Sequence, residues 1–116
     1  MNTLKDVADN LFEWLVAQVA IEEGLNPEEV IRRFAVHQTG GNTIQIESDR
    51  FRITLIEEDT MDEEILLGVN ITLDTDRFEK LALAKFTASL MGMLYSHDLV
   101  YLGDISVEDM EKRAQL

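Results

Sequence analysis

The stretch 76–95, DRFEKLALAKFTASLMGMLY, constrains the fold more than any other part of this chain. Asp76 is placed to cap a first helical turn, and Glu79, three residues on, can reach back to complete a capping box. From Leu81 to Tyr95 the segment is apolar nearly all the way round, with Lys85 as its only charge. A surface helix ordinarily carries one apolar stripe and one charged face. One that is apolar on most sides needs cover on more than one side. The expectation is a long central helix packed on a sheet, with a further neighbour on its remaining side.

That neighbour has a recognisable footprint. Lys85, Ser89, Gly92 and Ser96 fall at i, i+4, i+7 and i+11, so they share one stripe, with Ala82 and Ala88 on or beside it. Small residues let two backbones approach closely, while Phe86, Leu90, Met91, Met93 and Leu94 supply apolar area to the flanks. The stripe suits the N-terminal helix of the same chain or a second copy, since two-fold dimers are the commonest oligomers. Lys85, Ser89, Gly92, Met93 and Ser96 are the candidate dimer contacts.

The rest of the chain supplies material for one domain. Its 116 residues, 46% of them hydrophobic, are enough for a core and too apolar for a disordered chain. Residues 3–23 read as an amphipathic helix ended by Gly24, with Trp14 at its polar boundary, as core-edge packing or as a partner anchor. A second helix is expected from the Asn26 cap, through Pro27 and a Glu29 capping box, to about Gln38. Gly40-Gly41-Asn42 then breaks the pattern.

Strands follow. Ile44 and Ile46 alternate with polar residues, as do Phe51, Ile53 and Leu55. A turn at Ser48-Asp49 would pair Ile46 with Phe51, Ile44 with Ile53, Glu47 with Arg50 and Gln45 with Arg52. Ile65, Leu67, Val69, Ile71 and Leu73 point one way and Leu66, Gly68, Asn70 and Thr72 the other. Residues 99–102 are a fourth strand or a core-crossing segment, and Ser106 is placed to cap a short final helix over 107–115. The fold class is α+β: two N-terminal helices, a three- to four-stranded antiparallel meander, a long central helix and a short C-terminal helix. This element order, in a small acidic chain without cysteine, resembles the secretion-chaperone-like fold.

Charge and residue inventory narrow the functions. Acidic residues outnumber basic ones 23 to 10, a formal net charge of −13, which disfavours nucleic acid and anionic membrane as partners. The absence of cysteine removes disulfides, zinc–thiolate sites and cysteine nucleophiles. No signal-peptide pattern opens the sequence and no uncharged stretch reaches a membrane span, so the cytoplasm is the expected location.

Residues 57–64 hold six acidic side chains in eight: Glu57, Glu58, Asp59, Asp62, Glu63 and Glu64. They read as a solvated loop, a contact for a basic partner, or a hard-cation site that lacks the EF-hand spacing. Arg32-Arg33 is expected to pair with nearby carboxylates. His37 and His97 are the two histidines, both placed near helix ends where the dipole explains them. No catalytic fingerprint is present, and no catalytic residue, cofactor or metal ligand is assigned. The leading expectation is a non-enzymatic protein-interaction module (adaptor, chaperone-like or small regulator), homodimeric and with a protein partner. The alternatives are an acidic mimic of nucleic acid that blocks a basic DNA- or RNA-binding protein, and a small enzyme using His97 and Asp98.

Overall fold

The computed structural model describes residues 3–61, 64–73, 80–96 and 100–109. Helix α1, Leu4–Glu23, starts at an extended Thr3 whose hydroxyl accepts the Asp6 N–H at 3.2 Å, while the Asp6 carboxylate accepts the Thr3 N–H at 3.0 Å. This capping box meets two of the helix's orphan donors, and the sequence reading did not assign it. Gly24, at φ 66°, closes the helix in the left-handed conformation expected of it. Leu4, Val7, Leu11, Leu15 and Val19 recur at helical spacing and are buried, with Val7, Leu11 and Leu15 wholly so.

The second helix is much shorter than expected. α2, Pro27–Ile31, has proline at its start, but Asn26 makes no side-chain cap bond. Residues beyond Ile31 turn and enter strand β1, Ala35–Thr39, instead of continuing to Gln38. Gly40 and Gly41, at φ 65° and 84°, fold the chain back into β2, Thr43–Glu47, so that Thr39 meets Thr43 and Val36 meets Ile46. A hairpin partner this close in sequence outweighs the weak helix preference of Val36, His37 and Thr39. His37 therefore sits in a strand and not at a helix end.

The next turn is displaced by one residue from Ser48-Asp49. The Ser48 N–H donates to the Phe51 carbonyl at 2.9 Å, leaving Asp49 and Arg50 as the turn. In β3, Phe51–Met61, Ile53 faces Ile46, Leu55 faces Ile44 and Arg52 faces Glu47. Moving the turn by one residue shifts the register by two, so every side chain keeps its face. β3 runs through the acidic stretch to pair Met61 with Glu64 of β4, Glu64–Leu73. Glu57, Glu58, Asp59 and Glu64 thus lie in paired strands and not in a loop; Asp62 and Glu63 lie outside the described residues. Ile65, Leu67, Val69, Ile71 and Leu73 are buried, as their alternation requires.

Helix α3, Lys80–Tyr95, connects β4 to β5, Val100–Asp109. The expected cap at Asp76 and Glu79 lies outside the described residues. β5 runs parallel to β4, a pairing that requires a crossover such as α3 provides. Ser106 and Val107 pair with Asn70 and Ile71, so they do not open a helix. The β-branched alternation of Ile105 and Val107 beside a long ready strand decides this. The sheet is therefore mixed and five-stranded, in the order β1-β2-β3-β4-β5, in place of a shorter antiparallel meander.

α1 and α3 cover one face of the sheet, here the inner face, and among the described residues no helix covers the other. Among the described residues α3 contributes Leu90 and Leu94 to the buried core and α1 contributes more, so the long central helix expected over 76–95 is not shown. A relay of aromatic rings ties the layers together. Phe12 of α1 meets Phe34 at 5.6 Å, Phe34 meets Phe51 at 5.7 Å, Phe51 meets Phe86 of α3 at 5.4 Å, and Phe86 meets Trp14 at 6.2 Å. Trp14 is half-buried, at the core edge.

Cations hold the far end of α1. Its last turn has no basic residue, and Glu22 and Glu23 face the negative end of the helix dipole. Arg50, almost wholly buried, donates to Glu22 at 3.1 Å and approaches Glu23 at 3.8 Å. Arg33 bridges Glu23 and Asp49, which realises the pairing expected of the Arg32-Arg33 doublet for that residue. The β2–β3 turn is thereby fastened to α1.

Phe51→Ala should lower the unfolding free energy by about 3–5 kcal/mol in a urea titration, as a large buried ring leaves a void. Phe51→Leu should cost about 1–3 kcal/mol, chiefly the two ring–ring contacts. Arg50→Met should cost about 1–3 kcal/mol by stranding the α1 carboxylates, with the loss shrinking as salt screens them.

Candidate interaction surfaces

The small-residue stripe faces outward. Lys85, Ala88, Ser89, Gly92 and Ser96 are exposed, and a Cβ added at Gly92 would meet nothing within 4 Å. Met93 departs from this set, being half-buried against the core. Ser96 has a local task, since its hydroxyl donates to the Met93 carbonyl at 2.6 Å at the end of α3. Helical spacing explains why α3 looked apolar on every side. From Lys85 on, Leu90 and Leu94 turn inward with Phe86, Met91 and Met93 half-buried, and the outward face carries small side chains with Lys85 as its charge and Tyr95 exposed at the end.

Between α1 and α3 lies a groove of about 260 Å³, lined by Trp14, Gln18, Ile21 and Glu22 on one wall and Lys85, Phe86 and Ser89 on the other. Ile21 is 78% exposed at its rim. One end of the predicted stripe, Lys85 and Ser89, therefore forms a wall of a partly apolar cleft. A second groove, of about 270 Å³, runs between α1 and the β1–β2 edge past Phe12, Val36 and Ile44.

The open face of the sheet carries the polar residues of each strand. Glu47 is its hub: Arg52 Nε donates to it at 3.1 Å, and His37 Nε2 lies 3.0 Å from its other oxygen. Farther along, Thr72 bonds Asn70 at 3.3 Å and Asn70 bonds Ser106 of β5. No buried side-chain nitrogen or oxygen among the described residues lacks a partner.

Two irregularities meet on this face. β3 slips register between Glu57 and Asp59, leaving Glu58 as an extra residue, and β5 holds an extra residue where Leu67 and Val69 face Leu102 and Ile105. The Glu58 side chain lies across the gap. A Cβ built at Gly68 would come within 2.5 Å of one Glu58 carboxylate oxygen, and one at Gly103 within 2.5 Å of the other. The two glycines leave a trough that lays this carboxylate over β4 and β5. The acidic run drew notice in the sequence, but the trough did not. The available signal was a glycine inside each of two strand-like runs, which marks close approach by another group.

β5 ends the sheet, and among the described residues no strand pairs with its outer edge. Tyr101, Ile105 and Val107 along it are 53%, 43% and 52% exposed. Tyr101 shares the open face with Leu66, its register partner, while Ile105 and Val107 share the inner face with Val69 and Ile71, beyond the cover of the helices. Edge strands are usually short, charged or covered; this one is ten residues long.

Among the described residues, no three histidine, cysteine or acidic side chains gather in a way that could hold a metal ion. No helix there is long and apolar enough to cross a membrane. His97 and Asp98 lie outside the described residues. No protein-family model, curated protein or solved structure matches the chain.

Glu47 has a consequence for acid stability. Burial pushes its carboxyl up, but the hydrogen bonds and charges of Arg52 and His37 prevail and hold it below its ordinary value of 4.5. Such a group stabilises the fold fully above 4.5, and that contribution is lost as pH falls through the lowered value. Thermal melts stepped downward from pH 5 should show wild type losing stability, and Glu47→Gln should show a shallower loss over the same interval.

Proposed function

We propose that this protein is a non-enzymatic interaction module, an adaptor, chaperone-like or small regulatory protein, that works as a homodimer. The observation that carries this reading is the clustering of exposed apolar side chains at built features, Ile21 at the rim of a cleft and Tyr101, Ile105 and Val107 along a sheet edge. Exposed apolar residues scattered singly need no explanation, whereas clusters on grooves and edges mark interaction sites.

The α1–α3 cleft suits a second copy. It carries Glu22 on one wall and Lys85 on the other, so a two-fold partner brings opposite charges together. The exposed face of Ser89, Gly92 and Ser96 beside it lets the two helices approach closely. Lys85, Ser89, Gly92 and Ser96 form the contact, with Met93 supporting it from below.

Light scattering coupled to size exclusion should give twice the chain mass at micromolar concentration. The double substitution Ser89→Glu with Gly92→Glu places charges in open space, so it should leave the circular dichroism melt within about 1 kcal/mol of wild type while converting the dimer to monomer. A wild-type monomer at that concentration would overturn the dimer.

A further inference from the structure

We infer that the free edge of β5 is a docking site for an extended basic segment of another protein, which adds to the sheet as a sixth strand. This deepens the interaction reading and rests on it, but uses a surface separate from the α1–α3 cleft. From Tyr101 to Val107 no described strand pairs with the outer side of β5, and a strand edge of this kind is the template that strand addition uses. Its side chains supply selectivity. Tyr101 and Leu66 give an apolar footing on the open face, and Ile105 and Val107 give another on the inner side.

Charge selects the occupant. The Glu58 carboxylate lies over Gly103, so it reaches the strand next to the free edge, and exposed Asp104 follows directly in β5. A lysine or arginine placed opposite Gly103 on an added strand would meet Glu58 on the open face. A second copy pairing through the same edge would instead bring two sets of Glu58 and Asp104 together, between chains of net charge −13 each. Repulsion of that kind disfavours a twin here and favours a basic segment. The glycine trough has a purpose on this view, since any side chain at residue 68 or 103 would displace the carboxylate from the edge.

The test uses the full chain and a labelled peptide of about nine residues that alternates lysine with valine. Fluorescence anisotropy should detect binding that weakens with salt, while the same peptide with glutamate for lysine should not bind. Amide hydrogen exchange should slow along Val100–Asp109 on binding. Glu58→Gln should weaken binding roughly five-fold, the size of one exposed charge pair. Gly103→Ala should weaken it similarly without lowering the melting temperature, because the new Cβ displaces the flexible end of Glu58 and not backbone. The Ser89→Glu, Gly92→Glu double variant should bind the peptide as wild type does.

Equal affinity for the acidic peptide, no effect of Glu58→Gln, or protection confined to the helices would overturn the proposal. So would concentration-dependent protection of β5 without peptide, which would make the occupant a second copy. Failure here with a dimer still seen by light scattering would leave the interaction module standing. Failure of both would remove it.

Discussion

A five-stranded sheet has two faces and two edges, and the described helices of this chain cover one face. That limit organises the molecule. The inner face could be made largely apolar because α1 and α3 cover its middle, with Phe51 at the centre of a ring relay that touches α1, the α2–β1 connection and α3. The open face had to remain compatible with water, so each strand alternates, and the outward row is filled by Arg52, Thr54, Asn70 and Thr72 in place of Ile53, Leu55, Val69 and Ile71. Part of the acidic excess, Glu47 and Glu58 among it, then lies on the exterior that no described helix covers.

The electrostatics of that exterior are local and unequal. Near the α1 C-terminus, the carboxylates of Glu22 and Glu23 are matched by Arg33 and Arg50, which turns an unfavourable helix end into a fastening point for the β2–β3 turn. Around Glu47 the charges are matched again, by Arg52 and His37. At Glu58 no described cation answers in the same way. Arg33, Arg50 and Arg52 fasten the fold, and the Glu58 carboxylate lies over the β4–β5 side of the sheet. This asymmetry separates the two surfaces: a cleft with both signs of charge suits a copy of itself, and an acidic edge suits something basic.

Register slips usually weaken a sheet, yet here two of them fall side by side in β3 and β5. Their joint effect is to aim one side chain across two strands, and glycine at 68 and 103 makes room for it. Bulges of this sort re-aim side chains at sheet edges. Neither slip has that effect alone, because the carboxylate needs both glycines beneath it.

What the sequence determined by itself was periodicity and punctuation. Helical spacing of Leu4, Val7, Leu11, Leu15 and Val19 and the terminal Gly24 place α1 within a residue or so, since burying that stripe and ending it in left-handed backbone are local demands. Strict alternation from Ile65 to Leu73 places β4 and its buried face for the same reason. The glycine pair announces a reversal at Gly40-Gly41, but not that the reversal joins two strands. Tertiary structure decided the rest. Residues 35–39 become a strand only because β2 lies beside them, and residues 105–109 avoid a helix only because β4 offers a long ladder. The parallel placing of β5, the displaced turn at Asp49-Arg50 and the seat of Glu58 depend on partners distant in the chain. A segment's own residues set what it can bury and where it can bend, while its neighbours in space set which hydrogen bonds are on offer, and between two acceptable local conformations the better-bonded one prevails.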